Sequence, residues 1–503
     1  MPKTATHTSD HDLRRDTHVH PVDWTNPTPE GPYNLVVIGA GTAGLVTASA
    51  AAGLGAKVAL IERERMGGDC LNVGCVPSKA LLACARRAAA VRDAKHFGVT
   101  GTENAHTDFE AVMERMRRLR ADIAPADSAE RFRDMGVDVY FGRAEFTGAD
   151  RLRVNDHILR FKKAAICTGA RPAVPAIPGL EDIPYLTNET VFSLTRLPSR
   201  LGIIGAGPIG CELAQAFARF GSEVHLFESG HGVLPREDPE AAQVVQTALE
   251  QDGVRLHCCG KDLRIDRVGN DIHMRVQSHG TAVDQKVDQV LVATGRAPNI
   301  DSLNLPAAGV EPGEHGVRVD ARLRTTNPRV YAAGDVCSPQ RFTHAADAMA
   351  RNLVRNALFF GRAKTEHLVI PHCTYTEPEV AQVGLTETEA RGRGIAIDTF
   401  TRRSQEVDRA LLEGETDGWV RVVVKQGGDR ILGATAVGAQ AGELVSRFSH
   451  AMTQNLGLST FADVVFPYPT RAEAVKHLAD AYNRTRLTPW MKRLLTRFFT
   501  WRR

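Results

Sequence analysis

Two glycine-rich turns constrain the fold of this chain more than any other feature. Each turn follows a short apolar strand and opens a helix, and a second strand then ends in an acidic residue. In both copies the acid, Glu62 or Glu228, lies 23 residues after the first glycine. This strand–turn–helix–strand order with a terminal acid is typical of a dinucleotide-binding unit. The glycines of the two GxGxxG turns are Gly39, Gly41, Gly44, Gly205, Gly207 and Gly210.

The chemistry of such a turn predicts what each copy binds. One glycine permits the tight turn, one lets the backbone approach a pyrophosphate, and one lets the helix pack on the strand. The pyrophosphate then lies at a helix N-terminus, where free N–H groups favour an anion. We expect Glu62 and Glu228 each to accept a hydrogen bond from a ribose hydroxyl. The uncharged stretch 35–56 is long enough to cross a membrane, but its glycine pattern favours the nucleotide-binding interpretation.

The predicted fold class is α/β, with two Rossmann-like dinucleotide-binding domains and a C-terminal α+β domain. Alternating apolar strands over 369–384 and 419–438, with helices over 443–454 and 471–485, indicate this last domain. The length of 503 residues allows three or four domains. The predicted boundaries are 1–32 (a disordered polar tail), 33–165 and 291–364 (first nucleotide domain), 166–290 (second nucleotide domain), 365–485 (C-terminal domain) and 486–503 (a basic amphipathic helix).

Charge and cysteine content exclude several classes of protein. The net charge is +3, yet seven Lys or Arg and no acid lie in 484–503, so the rest of the chain carries −4. A mildly acidic body argues against nucleic-acid binding. Nine cysteines in so long a chain, with no secretory signal, favour a reducing cytoplasmic setting. The tail's histidines are weak candidates for metal binding: His7, His11, His18 and His20.

Two cysteines lie at the start of a predicted helix, directly after the first nucleotide-binding unit. Cys70 and Cys75 are five residues apart, so a distorted first helical turn can bring their sulfurs together. A helix N-terminus stabilises a cysteine thiolate. On spacing alone, two buried small residues are the favoured interpretation. The vicinal pair Cys258 and Cys259 is interpreted as core packing, and no residue is assigned as a metal ligand.

The residues around the two cysteines decide between these interpretations. The sequence GGDCLNVGCVPSK, residues 67–79, resembles the flavoprotein disulfide reductases, and the resemblance extends over roughly residues 33–485. Supporting segments follow in the family's order, namely ICTGARP (166–172), VATGRAPN (292–299), YAAGD (331–335) and CTYTEPEV (373–380). The resemblance implies FAD at the first glycine turn, NAD(P)H at the second, and a homodimer formed through residues 365–485. Within these segments it implies cofactor contacts by Thr168, Gly169, Gly295, Gly334 and Asp335.

The resemblance also implies a role for each residue of the redox centre. Electrons pass from the nicotinamide through FAD to a Cys70–Cys75 disulfide. Cys75 is then the thiolate nearer the flavin, and Cys70 is the thiol that meets the substrate. Lys79 and Glu212 match an ion pair beside the reactive nitrogen of the flavin, where Lys79 stabilises developing negative charge. Glu228 without a following arginine cluster favours NADH over NADPH.

One departure from the family pattern bears on the electron acceptor. Thiol-active members carry a histidine where this chain has Tyr468, although the following acid, Glu473, is kept. A tyrosine, with a pKa of about 10, is a poor proton shuttle at neutral pH. Mercuric reductases share the tyrosine, but the cysteine pair that ends their chains is absent after Cys373. The sequence therefore predicts an enzyme that reduces a soft metal ion such as Hg(II), or an unidentified disulfide or quinone.

Two other functions stay open at this point, a dihydrolipoamide dehydrogenase activity and a non-catalytic redox subunit at a membrane or in a complex. The last helix bears on the second of these. Its apolar residues recur at helical spacing among basic ones, which suits either peripheral contact with an anionic membrane or docking on its own dimer. The apolar residues are Trp490, Met491, Leu494, Leu495, Phe498 and Phe499.

Overall fold

The computed structural model describes residues 9–269 and 271–503. Within these ranges the α-helices are α1 (Asp10–Val19), α2 (Thr42–Gly53), α3 (Gly68–Val73), α4 (Cys75–Arg92), α5 (Phe109–Ile123), α6 (Ala129–Asp134), α7 (Pro208–Phe220), α8 (Pro239–Gln251), α9 (Thr343–Leu358), α10 (Glu387–Gly392), α11 (Asp408–Leu412), α12 (Ala441–Thr453), α13 (Glu473–Thr485) and α14 (Pro489–Trp501). The strands are β1 (Tyr33–Ile38), β2 (Val58–Glu62), β3 (Val137–Phe141), β4 (Ala144–Gly148), β5 (Arg151–Val154), β6 (His157–Ile166), β7 (Ala170–Pro172), β8 (Arg200–Ile204), β9 (Glu223–Phe227), β10 (Arg255–His257), β11 (Lys261–Val268), β12 (Asp271–Ser278), β13 (Thr281–Val287), β14 (Gln289–Val292), β15 (Arg296–Pro298), β16 (Pro312–Gly313), β17 (Gly316–Val317), β18 (Val330–Ala332), β19 (His372–Thr374), β20 (Glu379–Gly384), β21 (Ile397–Arg403), β22 (Trp419–Lys425) and β23 (Ile431–Gly438).

The described chain divides into two compact units. The first comprises residues 9–231 and 252–368, and the second comprises 232–251 and 369–503. The first unit holds two sheets built on parallel strands, as the two glycine-rich turns predict, and β5 and β4 join the first of them as antiparallel strands. One sheet has the order β3-β2-β1-β6, extended by β5 and β4, with β18 also pairing with β6. The other has the order β10-β9-β8-β14. The α/β class is confirmed.

Strand β1 shows why the first sheet forms at this place in the sequence. Its residues are apolar and β-branched, and a central strand of a parallel sheet is covered on both faces. Leu35 and Val37 pack into one hydrophobic core, which includes α2 and α9. Val36 and Ile38 point into a second core on the opposite face. The run 35–56 therefore becomes a buried strand, a turn and a helix, and no described helix is long and apolar enough to cross a membrane.

The prediction of a disordered tail over residues 1–32 is wrong for part of that segment. Residues 10–19 form helix α1, which is capped by the Ser9 hydroxyl and packs on α5. Asp12 accepts a hydrogen bond from Arg120 and lies 3.2 Å from the guanidinium of Arg15. The polar composition that suggested disorder instead supplies buried ion pairs. His7 lies outside the described residues.

The second unit is built on one antiparallel sheet with the order β19-β20-β23-β22-β21. Helices α12 and α13 contribute to its hydrophobic core, together with the inner faces of β20, β22 and β23. The strands and helices predicted after residue 365 are therefore present. Helix α14 ends the chain and has no buried residue.

Candidate active site

The two cysteines of the first unit lie in a segment folded against the first glycine-rich turn. The Gly67 amide donates to the Ala40 carbonyl at 2.8 Å. A Cβ on Gly68 would lie 2.6 Å from the Cα of Gly41, so only glycine permits this approach. The segment therefore starts beside the backbone that is expected to meet a pyrophosphate.

A break between two helices brings the cysteines to the same place. Cys70 lies on the short helix α3, and Cys75 is the first residue of α4. Gly74 separates the helices, and a Cβ there would lie 2.8 Å from the Asp69 carbonyl oxygen. Cys75 consequently lies at a helix N-terminus, where the helix dipole favours a thiolate. Both cysteines are free thiols, Cys75 exposed and Cys70 half-buried.

The surroundings of the two sulfurs move their pKa values in opposite directions. A hydrogen bond from Cys70, followed by contributions from Thr343 and the charge of Lys79, lowers the pKa of Cys75 to about 6. The same hydrogen bond, together with burial, raises the pKa of Cys70 above its ordinary value. At neutral pH the reduced pair therefore consists of a Cys75 thiolate and a Cys70 thiol.

An ion pair lies one helical turn beyond Cys75. Lys79 follows at i+4 and so shares a face of α4 with it. The Lys79 ammonium donates to Glu212 Oε2 at 2.8 Å, and the Glu212 side chain is only 5% exposed. Glu212 reaches this position because α4 packs on α7, the helix that follows the second glycine-rich turn. The buried carboxylate therefore holds the ammonium group in one place beside the cysteine pair.

Both glycine-rich turns have the shape that a dinucleotide requires. Gly39 and Gly205 adopt φ of +100° and +102°, a left-handed region that favours glycine. A Cβ on Gly44 would lie 1.8 Å from the Gly39 carbonyl oxygen, and one on Gly210 would lie 1.9 Å from that of Gly205. At Gly207 a Cβ would meet nothing within 4 Å, so the backbone faces open space.

The two acids hold these turns from the end of the neighbouring strand. Glu62 accepts the Ala40 amide at 2.8 Å, and burial raises the pKa of its carboxyl group. Glu228 likewise accepts the amides of Ala206 and Gly230, each at 2.8 Å. A carboxylate has about four acceptor positions, so each acid retains capacity for a ribose hydroxyl. The residues present therefore fit a dinucleotide in both places.

The two segments expected to cross between the nucleotide domains pair with each other. Strands β7 and β15 form a two-stranded antiparallel sheet. At its end the Thr168 hydroxyl donates to the Asn299 carbonyl at 2.7 Å, and the Asn299 amide donates to the Gly169 carbonyl at 3.0 Å. Gly295 accepts the Ala173 amide at 2.9 Å. These residues form one junction that leads out of both parallel sheets.

Gly334 and Asp335 lie at the end of β18, near the first glycine-rich turn. A Cβ on Gly334 would lie 3.2 Å from Ala43, at the start of α2. The Asp335 carboxylate lies 3.6 Å from the guanidinium of Arg296, and burial raises the pKa of its carboxyl group. Arg296 also pairs with Asp69, the neighbour of Cys70. Arg296 therefore connects Asp335 to the segment that carries Cys70.

Thr343 was missed by sequence reasoning. Its hydroxyl lies 3.3 Å from the sulfur of Cys75, although 268 residues separate the two. Thr343 is the first residue of α9, and α9 packs on α2 behind the first sheet. No motif singles out this threonine, because its position depends on the packing of α9.

Two predicted catalytic residues belong to the other compact unit. Tyr468 and Glu473 belong to the second unit, where the exposed Tyr468 donates to Asp408 at 2.9 Å and Glu473 begins α13. Their action on Cys70 stays a prediction. The interpretation of the vicinal cysteines as core packing fits Cys258, which is 8% exposed. It does not fit Cys259, which is only half-buried.

Known protein families, curated relatives and a solved structure are similar to this chain. Residues 33–351 match the family described as pyridine nucleotide-disulphide oxidoreductase, and residues 370–479 match its dimerisation domain. The chain is 33% identical to a mercuric reductase of Staphylococcus aureus, over 90% of this chain and 83% of that protein. It is 35% identical to one of Streptomyces lividans, over 90% and 96%. The structure of the HOCl-induced flavoprotein disulfide reductase RclA from Escherichia coli, as its Cu(II) complex, superposes with a TM-score of 0.80. That structure is 30% identical and covers 90% of this chain and 100% of that one.

Two nucleotide-binding turns, a cysteine pair at a helix start and a lysine–glutamate pair beside it define a flavoprotein disulfide reductase. The chain belongs to the pyridine nucleotide-disulphide oxidoreductase family. The family resemblance and the fold predicted from the sequence are thus confirmed. The family uses FAD and NAD(P)H, as predicted. The dimerisation domain supports the predicted homodimer.

Proposed function

We propose that this enzyme transfers two electrons from NADH, through FAD and the Cys70–Cys75 pair, to a soft metal ion such as Hg(II). In the overall reaction NADH and Hg²⁺ give NAD⁺, Hg⁰ and one proton. The observation that carries the proposal is the division of the pair into a Cys75 thiolate and a Cys70 thiol.

FAD, when bound, supplies hydride acceptance from the nicotinamide and two-electron transfer to the disulfide. The chain's own residues bind and orient the reacting groups. The first glycine-rich turn and Glu62 hold one dinucleotide, and the second turn and Glu228 hold the other. Lys79, fixed by Glu212 at 2.8 Å, places a positive charge one helical turn from Cys75. A fixed cation stabilises negative charge that develops during electron transfer without reorganising.

The protonation states favour a metal ion over a disulfide as acceptor. Attack on a disulfide requires a thiolate, and Cys70 is a thiol whose pKa is raised. The residue in the position of the family's base is Tyr468, and its hydrogen bond to Asp408 raises the pKa of its phenol. A thiophilic metal ion needs no base, because it displaces the thiol proton as it binds. Two cysteine sulfurs within contact distance suit a soft ion.

The similar proteins support the same class of acceptor. Those of S. aureus and S. lividans are named mercuric reductases, and the similar RclA structure is a Cu(II) complex. Copper ions are therefore the second acceptor to test. Lipoamide represents the alternative dihydrolipoamide dehydrogenase activity.

The test is anaerobic oxidation of NADH by the purified holoenzyme with thiol-complexed Hg(II), with Cu(II), with lipoamide, and with no acceptor. We expect turnover with a metal ion and none with lipoamide. Cys70→Ser and Cys75→Ser should lose metal-dependent turnover while NADH still reduces the flavin. Cys84→Ser is the matched control, because Cys84 lies on the same helix α4, about two and a half turns past Cys75, and should retain turnover.

Two results would contradict the proposal. Rapid lipoamide reduction would mean that another group moves the proton at Cys70. Unchanged metal reduction in Cys70→Ser would mean that the pair does not carry the electrons.

Helix α14 supports an additional proposal, that the chain's end binds an anionic membrane surface. Helix α14 and its flanks carry only positive charges, and none of its residues is buried. The exposed apolar side chains include Trp490 at 66% and Phe499 at 57%. Buried apolar area and attraction to anionic lipid together drive such binding. Full-length protein should co-sediment with anionic vesicles and not with neutral ones, whereas a chain ending at Thr485 should stay in solution. Vesicle binding that survives this truncation would contradict the assignment to α14.

A further inference from the structure

A second group of sulfur and nitrogen ligands lies in the first unit, apart from the Cys70–Cys75 pair. We call it the cysteine–histidine cluster, and its members are His231, Cys258, Cys259 and His279. The ligand atoms of His231, Cys258 and Cys259 all lie within 4.8 Å of one another. In residues 9–269 and 271–503, no other group of three or more His, Cys, Asp or Glu has its ligand atoms so close. The fourth member, His279, has Nε2 at 3.2 Å from the sulfur of Cys258.

Three loops build this cluster, and backbone hydrogen bonds hold them together. His231 follows β9, the two cysteines follow β10, and His279 lies in the turn between β12 and β13. The Cys259 amide donates to the Gly230 carbonyl at 2.8 Å, which joins the first two loops. The Ser278 hydroxyl donates to the Cys258 carbonyl at 2.7 Å, which joins the third. The four side chains therefore meet where loops of two sheets are joined by backbone and side-chain hydrogen bonds.

The backbone of the cluster is held in an unusual conformation. Cys259 and His279 have φ of +54° and +50°, a region that residues other than glycine adopt at a cost. Cys259 directly follows Cys258 in the sequence. In this conformation the sulfur of Cys259 lies 3.4 Å from Nδ1 of His231.

We propose that the cysteine–histidine cluster binds one thiophilic d¹⁰ metal ion of the Zn²⁺ type. The ligands are the sulfurs of Cys258 and Cys259, Nδ1 of His231 and Nε2 of His279. Two sulfurs and two imidazole nitrogens form a common tetrahedral set for zinc. Binding is not a redox step: each thiol that ligates the ion gives its proton to solvent, so full ligation releases two protons.

The distances already present agree with this geometry. Tetrahedral bonds of about 2.3 Å to sulfur and 2.0–2.1 Å to nitrogen place neighbouring sulfur and nitrogen ligands roughly 3.5 Å apart. The two sulfur–nitrogen distances in the cluster are 3.4 Å, for Cys259 and His231, and 3.2 Å, for Cys258 and His279. The ring centroids of His231 and His279 lie 6.4 Å apart, so the two imidazoles must turn toward each other to share one ion. Both histidines are exposed and have room for this movement.

The test measures bound metal in full-length holoenzyme under reducing conditions. The parent protein carries Cys70→Ser and Cys75→Ser, so the redox pair cannot take up the ion. After equilibration with Zn²⁺ and dialysis, atomic emission gives the zinc content per chain. We expect Cys258→Ser with Cys259→Ser to lose one equivalent relative to the parent. Cys84→Ser, outside the cluster, should lose none.

A second measurement identifies the ligands. Co²⁺ bound to the parent should give a sulfur-to-cobalt charge-transfer absorption in the difference spectrum, and the double serine variant should lack it. Ligation by histidines elsewhere in the chain cannot produce this band. If the double serine variant retains less flavin than the parent, His231→Ala with His279→Ala replaces it, since both side chains are exposed. Loss of these ligands should weaken Zn²⁺ binding at least about tenfold. Equal zinc content in the parent and the double serine variant, equal Zn²⁺ affinity in the parent and the double alanine variant, or a cobalt complex without the charge-transfer band would overturn the proposal.

Discussion

Replacing Cys70 with alanine should remove the largest influence on the thiolate of Cys75. The hydrogen bond from Cys70 is the first of three favourable contributions that lower the pKa of Cys75 from 9.0 to about 6. The other two come from the Thr343 hydroxyl, at 3.3 Å, and the charge of Lys79. As the largest of three, the Cys70 hydrogen bond accounts for at least a third of the effect. We therefore expect a midpoint of about 7 or higher in the Cys70→Ala variant.

The consequence for reactivity follows from the thiolate fraction. With a pKa of about 6, roughly half of Cys75 is ionised at pH 6, and with a pKa of about 7 roughly a tenth is ionised. Because only the thiolate is alkylated, the rate at pH 6 should fall about fivefold or more. The assay is the pH dependence of iodoacetamide labelling of reduced holoenzyme, quantified by mass spectrometry on the peptide that contains Cys75.

Two variants make the assay specific. Cys70→Ser keeps a hydroxyl donor beside Cys75, so its midpoint should lie nearer that of the unmodified enzyme than the alanine variant does. Cys84→Ser should leave the midpoint near 6. A midpoint that stays near 6 in Cys70→Ala would refute the hydrogen bond as the cause, and a midpoint near 9 in the unmodified enzyme would refute the thiolate itself.

Three further predictions follow from charged residues of the first unit. Lys79→Met should slow flavin reduction of the anaerobic enzyme by about a hundredfold in stopped flow, and Glu212→Gln should slow it less, because the cation remains; an unchanged rate in Lys79→Met would contradict its role. Asp12→Ala should lower the free energy of unfolding by about 3 kcal/mol, because it leaves buried arginines with fewer partners. Denaturant titration measures this, with Asp10→Ala as the exposed control, and equal loss in both variants would argue against the network. Glu228→Gln should raise kcat/KM for NADPH relative to NADH by about tenfold, since the charge that repels a 2′-phosphate is removed; an unchanged ratio would reject Glu228 as the determinant.

Local sequence patterns were sufficient to predict much of the first unit. The strand–turn–helix segments around Gly39 and Gly205 fold as predicted because each is specified within about 30 residues. The helix start at Cys75 could be predicted for the same reason. The pairing of Lys79 with Glu212 came from the family resemblance, since 133 residues separate them.

Helix α1 shows where composition misleads. A segment rich in charge and proline was interpreted as disordered because it has too little apolar surface to fold alone. The structure instead places Asp12 against Arg120 of α5, which in turn donates to the Asn72 carbonyl, in the helix that carries Cys70. This partner surface lies 108 residues away, so the first 32 residues alone do not reveal it.

The different protonation of Cys70 and Cys75 is a property of the folded unit, because the motif treats the two residues almost alike. Both lie in the same short segment, and both are near the N-terminus of α4. Part of what distinguishes them comes from elsewhere in the chain. Burial and the Thr343 hydroxyl act on both sulfurs, but the charge of Lys79 favours the charged form at Cys75, whereas the carboxylate of Asp127 disfavours it at Cys70. An acceptor that approaches Cys70 therefore meets a protonated sulfur, and it must displace that proton itself. Metal ions with high affinity for thiolates do so, which links the charges around the cysteine pair to the class of acceptor proposed for this enzyme.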